Sequence, residues 1–216
     1  VCVSTDGHGN YVVGSGESGN NGSLDFFDNE GKKTNGFTLQ HPLHNAAMNS
    51  AGDVVINWYE WHHEDGRRYY SKHVLPGGSV ESVRYRVMEG VKVVSYYRPV
   101  ISLDTSGNAY MACIGANEAT DDLDLYFQRA GLDGREKGAV EKVNDDTEGS
   151  GSQYTQHLAS YGEGNFIALW EHRQHGPHSP YVIRYFSSGA GPQGSSIVFR
   201  ELDPPWGGHK HDPFID

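Results

Sequence analysis

Four times along this chain of 216 residues, an apolar alternating segment runs into a Gly-Asn or Gly-Asp turn, and a second apolar run follows at once. The segments read VCVSTDGHGNYVVGS, HNAAMNSAGDVVINW, PVISLDTSGNAYMAC and QHLASYGEGNFIALW, with turns at Gly9-Asn10, Gly52-Asp53, Gly107-Asn108 and Gly164-Asn165. The turns are 43, 55 and 57 residues apart. A third apolar segment begins 14 to 17 residues after each turn, at Leu24, Tyr69, Leu125 and Val182, and a further glycine follows at Gly31, Gly77, Gly134 and Gly191. A fourth segment closes each unit: GFTLQ, VRYRV, AVEKVN and IVFREL. Each unit therefore predicts an antiparallel meander of three or four strands. A meander of this length cannot cover both of its faces, so it must stack on copies of itself, and radial stacking gives a β-propeller. The expected fold is all-β, a propeller of meander blades with approximate repeats 1–41, 42–98, 99–155 and 156–212. Pro213 to Asp216 resembles the opening of another repeat, which leaves open whether four blades close the ring.

The composition agrees. There are 28 Gly and 12% aromatic residues, as many short strands joined by tight turns require. The net charge of -11 comes without a basic cluster, which argues against nucleic acid and anionic membranes as partners. No apolar run is long enough to span a bilayer as a helix. The opening VCVSTDGHGN has neither Met nor a leader-like segment, as expected of a processed or partial chain. Cys2 and Cys113 fit one bridge or two thiols equally well, and Asn21-Gly22-Ser23 matches the N-glycosylation acceptor pattern. The fifth residue after the four turns is Ser15, Trp58, Cys113 and Trp170, a column read as packing between blades.

The run DLYFQRAGLDGREKGAVEKVNDDTEGSGSQ, followed shortly by GNFIALWEH, resembles the repeats of large secreted bacterial surface and adhesion proteins, most clearly over Pro99 to Leu202. That resemblance implies a secreted or cell-surface propeller-like array used for binding or adhesion, and it supplies no catalytic residue. The stretch SLDTSG, Ser102 to Gly107, has a looser likeness to the sialidase Asp-box, a structural motif where it occurs. The simplest role for Asp104, and for Asp6 in its own turn, is to cap the turn.

Three sets of residues carry candidate chemistry. Aromatic and His residues after the second strands (Trp58, Tyr59, Trp61, His62, Trp170 and His172) suit stacking on sugar rings. Trp61, His62 and Trp206 are expected to be the accessible ligand-binding members, with Trp61 and Trp206 in loops. Twelve His against 17 Lys plus Arg is the most unusual compositional feature. His172, His175, His178, His209 and His211 form the transition-metal candidate, since imidazole suits Cu or Zn, although no zinc-enzyme spacing is present. The acidic loops Glu118 to Asp124 and Asn144 to Glu148 offer oxygen ligands for Ca²⁺ without EF-hand spacing. For an enzyme, Glu60, Glu64, Asp65 and Glu171 are the carboxylates that would have to converge. No nucleophile elbow or phosphate-binding loop is present.

The leading expectation is a non-catalytic extracellular module that binds a protein or glycan surface ligand, and self-associates through terminal strands into an oligomer or filament. The alternatives are a His-rich metal-binding protein and a lectin or propeller glycosidase.

Overall fold

The computed structural model describes residues 1–16, 21–63, 66–75, 79–80, 84–93, 98–116, 123–134, 138–144, 152–162, 164–173, 181–187 and 191–199. Among them every regular element is a β-strand, and the strands form four antiparallel sheets in chain order. The first holds β1 (Cys2–Thr5), β2 (Tyr11–Ser15), β3 (Ser23–Phe27) and β4 (Lys33–Thr38). The second holds β5 (Asn45–Met48), β6 (Val54–His62), β7 (Gly66–Leu75), β8 (Ser79–Val80) and β9 (Tyr85–Val87). Lys92–Val93 (β10) precedes β11 (Val100–Leu103), β12 (Asn108–Ala116), β13 (Leu123–Gly131) and β14 (Glu141–Lys142) in the third. The fourth holds β15 (Ser152–Tyr161), β16 (Asn165–Arg173), β17 (Tyr181–Ser187) and β18 (Gly191–Phe199).

The sheets are the meanders expected from the repeat, offset slightly at their seams. Lys92–Val93 joins the third sheet because β12, at nine residues, outruns the four residues of β11 and leaves Gly115 and Ala116 free to pair. The fourth sheet likewise starts at Ser152.

The repeated turn has a repeated cause. Gly9, Gly52, Gly107 and Gly164 all have positive φ, between 74° and 93°, a conformation that costs glycine nothing. Four residues before the residue that follows each glycine stand Asp6, Asn49 and Asp104, and each caps its own turn. Asp6 Oδ1 accepts the backbone N–H bonds of His8 and Asn10 at 2.7 and 3.1 Å. Asn49 Oδ1 does the same for Ala51 and Asp53, both at 3.0 Å, and Asp104 Oδ1 for Ser106 and Asn108 at 3.0 and 2.8 Å. In the fourth unit Tyr161 stands at the capping position. There the Gly164 N–H donates instead to Asp104 Oδ2 of the preceding sheet, at 2.9 Å.

First strands contact one another in succession, β1 with β5, β5 with β11 and β11 with β15, so they line the propeller axis. A serine joins neighbouring first strands at two of these seams: Ser4 Oγ accepts the Met48 N–H and Ser102 Oγ accepts the Ser160 N–H, both at 2.9 Å. At the seam between them the equivalent position is Ala47, which has no hydroxyl to offer.

Away from the axis the sheets pack face to face, and the column of fifth residues lies in the three interfaces. Trp58 is buried with Val12, Leu24 and Phe26 of the first sheet. Cys113 is buried against Ala47, Val55 and Tyr69 of the second, and Trp170 against Tyr110, Ile114 and Leu125 of the third. Truncating either Trp would remove about 3–5 kcal/mol. Ser15 is exposed on the outer face of the first sheet, together with Val3 at 61%. Cys2 and Cys113 are separate thiols, and burial pushes the Cys113 thiol up. Among the described residues no helix is long and apolar enough to cross a membrane.

Asp104 is 2% exposed and also accepts hydrogen bonds from Asn108 Nδ2 and Tyr110 Oη at 2.7 and 2.8 Å. Burial alone would raise its pKa, but the bonds from Asn108, Gly164 and Tyr110 outweigh burial and lower it. The stability this carboxylate contributes is present above the unfolded-state value of about 4 and lost as pH falls through the folded one. Asp104→Ala is expected to lower stability by about 3 kcal/mol in urea unfolding at pH 7, because two turns and a phenol lose their acceptor. Asp104→Asn, the residue used at position 49, should cost less than half of that.

Candidate functional site

The far end of β6, Trp58 to His62, carries three aromatic side chains and a His around Glu60 and runs toward the connection with β7. Alternation divides its side chains. Trp58, Glu60 and His62 take the face toward the first sheet, and Tyr59 and Trp61 the opposite one. Trp58 is fully buried, Tyr59 and Glu60 are half-buried, and Trp61 is 67% exposed. Trp61 is thus accessible as expected, but it belongs to a strand and not to a loop, which fixes its backbone opposite Arg67 in the β6–β7 ladder.

The connection from β4 to β5 crosses the same end of the second sheet. It is seated by the glycine-rich stretch after β2, whose glycines do more than loosen a turn. A Cβ on Gly16 would lie 2.6 Å from the Leu43 backbone nitrogen, and one on Gly22 would lie 2.9 Å from it. Gly22 also exchanges backbone hydrogen bonds with this connection, donating to the His41 carbonyl and accepting from the Leu39 N–H, both at 2.7 Å. So held, His41 stacks on Trp58 with ring centroids 3.6 Å apart and planes 6° from parallel. His44 stacks on Tyr59 at 4.3 Å, and its Nδ1 accepts the Tyr59 backbone N–H at 3.2 Å.

Charged groups complete the arrangement. Glu60 Oε1 accepts the Trp58 indole N–H at 2.9 Å and is paired with Arg84, whose guanidinium also lies 4.4 Å from the centre of the Tyr70 ring. His62 Nε2 lies 3.0 Å from the Tyr70 hydroxyl and 3.8 Å from Glu60 Oε2. Arg67 lies over Tyr59 and Trp61, 4.9 and 5.6 Å from their ring centres. Gln40, His41, Pro42, Tyr59, Trp61 and Arg67, with Glu60, enclose an open cleft of about 520 Å³. An exposed indole beside paired and unpaired charges can stack on an apolar ring face while hydrogen-bonding its polar rim.

A smaller cleft of about 340 Å³, on the side of the Asx turns, is lined by Asp6, His8 and Phe27 among others. Its carboxylate is already committed, since Asp6 accepts from two backbone N–H groups and from Asn10 Nδ2 at 2.6 Å.

The other sequence candidates fare differently. His175, His178, Trp206, His209 and His211, together with Glu64 and Asp65, lie outside the described residues. The backbone of His172 is in β16, opposite Gln153. Among the described residues no group of three His, Cys, Asp or Glu is placed to hold a metal ion. Of the acidic loops offered for Ca²⁺, residues 118–122 and 145–148 lie outside the described residues, while Asp124 and Asn144 are buried and turned to structural work. Asp124 Oδ1 accepts from Asn144 Nδ2 and Lys142 Nζ, both at 2.8 Å, while Asn144 Oδ1 accepts the Leu125 N–H at 2.9 Å. Glu60 stands two residues after Trp58, whereas the buried Glu171 stands one residue after Trp170, so alternation puts them on opposite faces of their blades and not in one converging pair.

His41, Arg67, Tyr70 and Arg84 carry the site and were not singled out from sequence. The signal for Arg67 was available, because a hairpin from Trp58 to Tyr70 places residue 67 opposite Trp61. His41 had none, since its placement depends on a connection from the preceding blade.

No family model and no curated protein matches the sequence. Solved structures resemble its fold. Among them is the endo-arabinase from Bacteroides thetaiotaomicron VPI-5482, which superposes with a TM-score of 0.51 at 11% identity, over 91% of this chain and 76% of that one. The fold is that of a β-propeller. At this identity the likeness speaks for the arrangement of blades and not for any residue of the cleft.

Burial holds the His44 imidazole down to about 4, with the charges of Arg98, His41 and Arg67 acting in the same direction; burial likewise lowers His41. Unfolded, the same ring protonates near 6.5. Between these values the unfolded chain binds the extra proton, so stability falls as pH drops from 6.5 toward 4, by about 2–3 kcal/mol for His44. The urea midpoint should decline over that window, and His44→Asn, which keeps an acceptor for the Tyr59 N–H without titrating, should flatten the decline. Gly16→Ala should lower thermal stability and weaken the coupling of His41 to Trp58, seen as a change in Trp fluorescence.

Proposed function

We propose that this protein is an extracellular carbohydrate-binding propeller, and that the cleft at the end of β6 is its recognition site. The observation that carries the reading is Trp61, a 67% exposed indole on an ordered strand, flanked by the half-buried Tyr59 and faced by Arg67. Burying so large an apolar face against a sugar ring is favourable, and the polar groups around it supply the hydrogen bonds that fix orientation. The propeller likeness to an endo-arabinase is consistent with a sugar ligand for this architecture.

Recognition without turnover is the reading that the carboxylates favour. Hydrolysis with acid and base assistance needs two carboxyl groups facing one bond, about 5 to 10 Å apart. Glu60 gives one oxygen to Trp58 and Arg84, and Glu171 faces the other way in its own blade. Secretion, adhesion at a cell surface and association with further copies of the chain belong to the same proposal, and rest on the resemblance of the third and fourth repeats to bacterial surface proteins.

A panel of neutral and acidic oligosaccharides tests the reading. At least one should bind with a dissociation constant in the micromolar to millimolar range, and Trp61→Ala should weaken it at least tenfold, about 1.4 kcal/mol. Calorimetry on the wild type and Trp61→Ala checks this. A panel without binding, or binding indifferent to Trp61, rejects the proposal, and release of reducing ends by the wild type would make the site catalytic.

A further inference from the structure

Two arginines stand at this end of β6, Arg67 lining the cleft and Arg84 beside it, and they are in different circumstances. Arg84 is spent on Glu60 and covers the Tyr70 ring. Arg67 is held by ring faces alone: its contacts are with Tyr59 and Trp61, and among the described residues its guanidinium has no hydrogen bond or ion pair. A guanidinium that lies over aromatic rings rests on them through its flat face, while its N–H donors stay available around the edge. That edge matches a carboxylate, which accepts two parallel N–H bonds in one plane.

The placement is fixed by backbone pairing. Arg67 is the direct partner of Trp61 across β6 and β7, so the sugar platform and the donor edge are adjacent on one hairpin. Among the described residues that line the cleft, the other cationic candidate is His41, which burial keeps uncharged at neutral pH, and Arg84, which meets the cleft through Glu60, is paired with that carboxylate. Arg67 is thus the uncompensated charge among the described residues that line the cleft. The chain as a whole carries -11, so it does not attract a polyanion from a distance, and selectivity has to arise on contact.

We infer that the cleft selects acidic carbohydrate, with the ring of a uronic acid residue against Trp61 and its carboxylate on the donor edge of Arg67. This rests on the carbohydrate reading of the cleft and names its substrate class.

The probes are oligogalacturonate and the same oligosaccharide with its carboxylates methyl-esterified, which removes the charge and keeps the ring, measured by calorimetry beside the neutral panel. The acid is expected to bind about ten- to a hundredfold more tightly than its ester. Arg67→Met should reduce that ratio to within about threefold, and Arg67→Lys, which keeps the charge without the planar fork, should leave an intermediate ratio. Thermal unfolding of both variants confirms that they are folded. Equal binding of acid and ester overturns the inference, as does an acid preference that survives Arg67→Met. Failure of both probes while a neutral glycan binds also overturns it and leaves the carbohydrate reading standing. Binding of nothing in either set ends the reading, and the inference with it.

Discussion

The structure depends on one constraint: a sheet of four short strands has two faces and too little chain to cover either. The second, third and fourth blades meet it by laying their second strands against the blade before them. Trp58, Cys113 and Trp170, all buried in these interfaces, occur at one position of the repeat. Hydrophobic burial has no direction of its own, so the register has to be set elsewhere. The glycine turns with their Asx caps set it within the first three hairpins, and Ser4 and Ser102 set it between first strands at two seams. Burial provides the attraction, and these few polar contacts specify which arrangement it stabilises.

The cleft follows from the same architecture. β6 is longer than the first-sheet strand equivalent to it, so its last residues pass beyond the interface, where alternation still applies but burial no longer does. Trp58 remains inside, Trp61 emerges, and Glu60 between them bridges the two situations through the Trp58 indole. The connection from the first blade then crosses this end because Gly16 and Gly22 let its backbone lie close. An irregular segment is thereby tied to the first blade by backbone hydrogen bonds, which place His41 and His44 against Trp58 and Tyr59.

Much of the fold could be read directly from the residues, because the repeat prints each landmark four times and an error in one copy is corrected by the others. The column containing Trp58 and Trp170 was legible as packing for the same reason. The site was legible in part. Alternation marks Trp61 as the side chain turned away from Trp58, but whether it sits in a loop depends on how far β6 and β7 continue to pair, and that is decided by Tyr59, Tyr69 and Arg67 packing together. His41 and Arg84 reach the cleft through contacts between segments tens of residues apart in sequence, which no local pattern encodes. Asp124 and Asn144 offered themselves as oxygen ligands because composition shows charge and not its partners. Lys142 and the Leu125 amide were already there.

Asp104 holds the turn of its own blade and the turn of the next. The fourth unit, with Tyr161 where its siblings have an acid or amide, has become a dependent of the third. The copies are not interchangeable, and the array is less modular than its repeat: transplanted behind a different neighbour, the fourth hairpin would arrive without its acceptor. In such a series the order of the units is itself part of the information that the chain carries.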